Sequence, residues 1–152
     1  MTITLEAIKA EHTKVGEMIA AFERQAATTE YVVNAQTITL APGERYAGLV
    51  LGENGEAGHH LILLPGEAES VDWHAAVKWA CEQGGVLPTR REQSLLFANL
   101  KGEFQSSYYW SCQQHEKETG WAWYQGFVSG HQTNGLKTYA LRARAVRRLV
   151  LQ

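Results

Sequence analysis

Two cysteines and six histidines are the residues of this 152-residue chain best equipped for chemistry. A thiol pair supports redox or nucleophilic catalysis when a thiolate is stabilised. Cys81 falls on the apolar face of a predicted helix, where a thiol usually acts as an inert space-filler. Cys112 lies at a predicted strand end, and no neighbour in sequence would lower its pKa. His59 and His60 are adjacent, so on a strand they point to opposite sides and do not converge on one metal. His115-Glu116 lacks the second histidine, four residues after the first, of a helical zinc-protease site. No metal and no cofactor are therefore expected. Arg142, Arg144, Arg147 and Arg148 form a basic cluster, but nucleic-acid binding needs basic support elsewhere. Glu92, Glu103, Glu116 and Glu118 offer these arginines ion-pair partners instead. No Ser-His-Asp set or phosphate-cradling glycine loop stands out.

The residues suited to binding lie in the last third. Trp121–Val128 alternates: Trp121, Trp123, Gln125 and Phe127 share one parity, and Ala122, Tyr124, Gly126 and Val128 the other. With Trp110, Trp123 and Phe127 in the core, Tyr124, Gly126 and Val128 face outwards. His131, Gln132, Thr133 and Asn134 occupy the adjoining loop, and Gln113, Gln114 and His115 the preceding one. An exposed tyrosine is rigid and amphipathic, and costs little entropy to order. Such a patch recognises proteins or sugars; the plainer reading is a solvated β face with ordinary loop polarity.

The elements that must position these residues can be read in order. Residues 4–27 form a predicted helix with Ile8, Val15 and Phe22 at seven-residue spacing, flanked by Leu5, Met18 and Ile19. This is the stripe of a helix packed on its own domain or of a short self-associating coiled coil weakened by His12. The expected division is residues 1–30 as this helical segment and 31–152 as the domain, with Tyr31–Val33 as a connector. Thr37–Leu40, Tyr46–Leu51 and His60–Leu64 are β-type runs punctuated by Pro42-Gly43 and Asn54-Gly55. Ser70 or Asp72 caps a second helix reaching about Gln83, with Trp73, Val77, Ala80 and Cys81 on one face and Gly84-Gly85 as its stop. Pro88 ends extended chain, and Thr89 and Glu92 have capping-box spacing for a third helix ending near Asn99. Tyr108–Cys112, Trp121–Val128 and Leu141–Leu151 complete the strands, giving an α+β class.

Composition narrows the function classes. A net charge of −2 favours neither nucleic acid nor an anionic membrane. No apolar run approaches the roughly 20 residues of a membrane span. The first residues lack the basic, then apolar, layout of a signal peptide, so synthesis in the cytoplasm followed by association with a virion is the expectation. Two cysteines make no disulfide framework, and reduced thiols are expected.

The ordered motifs Asp72-Trp73, Trp79-Ala80-Cys81, Gly84-Gly85, Leu87-Pro88-Thr89-Arg90-Arg91-Glu92, Tyr109-Trp110-Ser111, Trp121, Trp123, Phe127, Gly130 and Arg144-Ala145-Val146-Arg147 carry a resemblance. Over roughly residues 37–150 the chain resembles the C-type-lectin-like domains of phage and bacterial surface proteins. It is similar to the C-terminal domain of collagen-like adhesins, to phage tropism determinants and to the variable proteins of diversity-generating retroelements. More distantly it resembles the formylglycine-generating enzyme fold. The resemblance implies two helices flanking small antiparallel sheets, chain ends brought close together, and a ligand platform around residues 105–115 and 122–135. It also implies a non-enzymatic, phage- or prophage-encoded binding module of receptor-binding or tail-associated type. The seven-residue stripe of residues 4–27, outside the resemblance, adds the expectation of a homo-oligomer. The Glu-Pro-Asn, Gln-Pro-Asp and Trp-Asn-Asp signatures of a calcium-dependent sugar site are missing. Two alternatives stand beside this expectation: an intracellular protein that inhibits or scaffolds a host or phage factor, and an oxidase-like enzyme built on Cys81 and Cys112.

Overall fold

The computed structural model describes residues 2–27 and 35–151. The expected connector at Tyr31–Val33 lies outside the described residues. The chain divides into two compact units, 1–38 and 39–152. The first is built on helix α1, Leu5–Ala26, which starts where the Thr4 hydroxyl accepts from the Ala7 N–H at 3.1 Å. Gly16 lies in the middle of this helix, where glycine costs about 1 kcal/mol relative to alanine.

The second unit is α+β. Strands β1 (Arg45–Val50), β2 (His59–Leu63) and β8 (Val146–Val150) form an antiparallel sheet in the order β1-β2-β8, which puts the first and last strands of the unit in one sheet on either side of β2. Strands β3 (Ala68–Val71), β4 (Tyr108–Gln114), β5 (Trp121–Gly126), β6 (Gln132–Leu136) and β7 (Leu141–Ala143) form a second sheet in the order β3-β7-β4-β5-β6. Helix α2 is Trp73–Glu82 and helix α3 is Arg90–Leu100.

The helix boundaries follow short-range chemistry. Asp72 caps α2 by accepting from the Ala75 N–H at 2.8 Å. Gly84, at φ +82°, and Gly85 end it by donating to the carbonyls of Cys81 and Ala80. Thr89 and Glu92 form the expected reciprocal capping box of α3.

The strands differ from expectation in four places. Residues 37–40 are not a strand: they have β propensity, but no strand edge pairs with them, and the next donor, the Ala41 N–H, is taken by the Glu44 carboxylate. β3 was too polar to read, since only Ala68 of its four residues is buried. β6 occupies the expected loop, so Gln132, Thr133 and Asn134 are strand residues held in register against Gln125, Tyr124 and Trp123. The expected closing strand is broken at Arg144-Ala145, where the chain leaves the five-stranded sheet for the three-stranded one.

Two apolar clusters result. One joins Trp73, Ala76 and Ala80 of α2 to Leu87, Trp110, Ala122 and Ala143. The other joins Leu96 of α3 to Ala47, Leu61, Leu63, Val146, Tyr109 and Phe127. Cys81 is exposed and not part of the apolar face of α2, because that face is centred on Trp73, Ala76 and Ala80 and the next residue is turned about 100° away.

Glu92 ties α3 to the three-stranded sheet. Its side chain is 1% exposed and takes a two-pronged contact from the Arg148 guanidinium at 2.6 and 2.7 Å. It also accepts from the Thr89 N–H at 2.9 Å and contacts His59 Nε2 at 2.9 Å. Burial pushes its pKa up, but Arg148, Thr89 and His59 outweigh burial and hold it below the ordinary carboxyl value. The paired Arg147 guanidinium lowers the Glu44 carboxyl from 4.5 to about 2.

Substitution Glu92→Ala strands a half-buried arginine, and is expected to lower the unfolding free energy by about 3–5 kcal/mol. Urea denaturation checks this; a loss under about 1 kcal/mol would contradict the tie. Both carboxyls titrate lower folded than unfolded, so their contribution is complete above the ordinary 4.5 and is lost as pH falls below it, for Glu44 through about 2. The melting temperature is expected to drop across this window, less steeply in Glu44→Gln, and an unchanged profile would refute the assignment.

Candidate binding face

Strands β4, β5 and β6 give two covered faces rather than one buried and one solvated. On the side of α3, Gln125 is fully buried and donates its amide to the Gln93 carbonyl at 3.1 Å. Trp123, also on this side, is half-buried, with the Arg90 guanidinium 3.5 Å from its ring centre and the His115 ring stacked at 6.2 Å. Gln113 and Gln132 hold Arg90 through its backbone N–H at 2.8 Å and its Nε at 3.2 Å. Gln113, His115 and Gln132 therefore brace an arginine–tryptophan stack. Thr133 and Asn134 are half-buried in β6, and Gln114 accepts from Lys137 Nζ at 2.6 Å.

The other side carries Trp110, Ala122 and Tyr124 against the cluster shared with α2. The expected outward parity of Tyr124, Gly126 and Val128 is thus corrected. Tyr124 is half-buried edge-on to Trp110, and Gly126 is buried; Val128, at 64% exposure, does face solvent. Trp110 and Phe127 are core residues as expected, with Phe127 stacked on Phe104 at 3.9 Å. Alternation separates the two faces but not their exposure, because a helix packs on each side of this sheet.

Past the cover of α2 this side becomes an aromatic rim. Tyr108 is 51% exposed and meets Tyr124 edge-on at 5.5 Å. Tyr139 is 44% exposed. The rings lie over glycines: a Cβ on Gly126 would be 3.0 Å from Tyr108, and one on Gly135 would be 2.6 Å from Tyr139 and 3.0 Å from Tyr124. Burial, then the nearby Tyr139 and Tyr108, raise the Tyr124 pKa above the ordinary phenol value. Beside the rim is a cavity of about 300 Å³ walled by Tyr108, Gly126, Val128 and His131, with Ser106, Ser107 and Ser129 around it. Gly126, Val128 and His131 are thus brought together, while Gln113, Gln114, His115, Gln132, Thr133 and Asn134 lie apart from this cavity. Tyr108 and the three serines fall within the expected platform ranges without being singled out, and Tyr139 lies outside them. Tyr108 shares the strand parity of Trp110 and was legible; Tyr139 follows a turn and gave no signal.

The arginines act as internal partners. Arg142 pairs with Glu67 at 2.7 Å, and Glu67 also accepts from the Tyr109 hydroxyl at 2.6 Å. Burial and this anionic neighbour push the Tyr109 phenol up to about 12. The two thiols are unpaired, and burial pushes the Cys112 thiol up, away from an activated thiolate. Among the described residues no three or more His, Cys, Asp or Glu side chains group as a metal site, and no helix is long and apolar enough to cross a membrane. The chain matches no protein-family model and no curated protein.

Gly135→Ala is expected to swing the exposed Tyr139 ring away at a cost below about 1 kcal/mol. The Tyr124 phenol should then titrate closer to its ordinary value. NMR titration of ¹³C-labelled tyrosines tests this; an unmoved Tyr124 would show that the rings do not share one site.

Proposed function

We propose that residues 39–151 are a non-enzymatic binding module of the C-type-lectin-like kind, phage or prophage encoded and of receptor-binding or tail-associated type. It takes a protein or glycan ligand on the rim formed by Tyr108, Tyr124 and Tyr139. Two helices flanking small sheets, with the first and last strands of the unit in one sheet, support the fold-family reading.

The observation that carries the functional reading is the rim itself. Large rings held half-exposed over glycines, next to a cavity edged by serines and a histidine, combine rigid contact area with adaptable hydrogen bonding. Burying a tyrosine that is already ordered costs little entropy, and aromatic anchors dominate binding energies. Elsewhere in the unit the polar side chains Glu92 and Gln125 are buried and bonded within the fold, leaving them no ligand to serve.

The test is binding of the full chain to a panel of purified bacterial surfaces and to a glycan array, read by interferometry. Tyr108→Ala and Tyr139→Ala are each expected to weaken binding about tenfold or more with an unchanged melting temperature. No binding to any panel member, or binding indifferent to both substitutions, would refute the proposal. Capture of a soluble enzyme through the same residues would leave the face standing and replace the surface ligand with an intracellular one.

A further inference from the structure

We propose that α1 is a self-association element, covered by α1 of a second copy of this chain in an antiparallel two-helix coil. Its apolar residues Leu5, Ile8, Val15, Met18, Ile19 and Phe22 are all 50–68% exposed, and none of its residues is buried among the described residues. A stripe of this size left in water has a strong drive to find a partner.

The pattern specifies what kind of partner. Leu5, His12, Ile19 and Ala26 recur every seven residues, and Ile8, Val15 and Phe22 recur three residues after each of the first three. This alternating three-and-four spacing keeps a seam aligned only with another helix that supercoils with it. A flat sheet or a bilayer surface does not call for that period. The helix also carries Glu6, Glu11, Glu17 and Glu23 against Lys9, Lys14 and Arg24, so an anionic bilayer gains nothing from it.

The flanking residues select a second copy and its direction. Lys9 follows Ile8 and Glu23 follows Phe22, so both occupy the same flank of the seam. In an antiparallel pair that sets Val15 on Ile19, His12 on Phe22 and Ile8 on Ala26, Lys9 meets Glu23 of the other copy at both ends. A parallel, in-register pair offers no such match: Lys9 falls beside Thr4, Glu23 beside Met18, and His12 stacks on itself. The antiparallel register also gives Gly16 a role. A Cβ there would meet nothing within 4 Å among the described residues, so the chain's own packing does not call for glycine. In the antiparallel pair Gly16 lies on the central flank beside Gly16 of the second copy, where a missing side chain lets the helices approach.

Sedimentation velocity on the full chain at micromolar concentrations tests the proposal. The expected mass is that of two chains. Val15→Glu and Ile19→Glu should each give the mass of one chain, with the melting of residues 39–151 unchanged. Lys9→Glu should raise the dimer dissociation constant about tenfold, and adding Glu23→Lys should restore it. A one-chain mass for the unaltered protein, or a dimer that withstands Ile19→Glu, overturns the proposal. Failure of the charge swap to rescue overturns the antiparallel pairing, as does a mass above two chains.

Discussion

The Glu92 carboxylate is the point on which the second unit turns. It caps its own helix through Thr89, takes the Arg148 fork from β8, and contacts His59 of β2. A buried carboxylate is expensive when alone, so the surrounding groups must arrive together for any of them to be tolerated. The interaction contributes less through net energy than through exclusivity: α3 has one seat on the three-stranded sheet. Strand alternation extends this arrangement, because Arg148 reaches Glu92 while its neighbour Arg147 reaches Glu44. One five-residue strand thereby fastens a helix start and an entry loop at once.

Arg144 occupies the junction between the sheets. Buried in the break between β7 and β8, it donates to the carbonyls of Leu64 and Glu103 and lies over the Phe104 ring. Burial lowers its pKa despite the acidic and phenolic groups around it. It satisfies backbone carbonyls where the chain changes sheets and neither ladder reaches them. The two clusters of apolar side chains are therefore joined by a polar link, with α2 packed on the five-stranded sheet and α3 on both.

What the sequence revealed was governed by range. Caps, stops and tight turns depend on residues three or four apart, so Asp72, Gly84, and the Thr89–Glu92 pair could be read directly. Glu92 and Arg148 were each visible as charges, but their contact spans 56 residues and needed the fold to join them. β6 has the look of a loop because Asn and Gly are poor strand formers and Thr133 alone is β-branched; its ladder comes from pairing with β5, which no local rule sees. The binding candidates were half legible for the same reason. Alternation correctly separated two faces of β5, but it could not show that α3 covers one and α2 only part of the other. The exposed remainder, where Tyr108 and Tyr139 sit, is a product of where α2 ends its cover.

The glycine floor under the aromatic rim has a consequence for how the chain can change over generations. Tyr108, Tyr139 and Val128 project outwards from a backbone whose register is set by ladder bonds and by buried Gln125, Trp110 and Phe127. Their side chains carry little of the packing, so they are free to be exchanged for others without the scaffold losing its shape. Gly126 and Gly135 are tied to the rings instead, because a side chain at either would displace a tyrosine from its place on the rim. The packing therefore tolerates exchange at the tips while requiring that the platform presenting them stay the same.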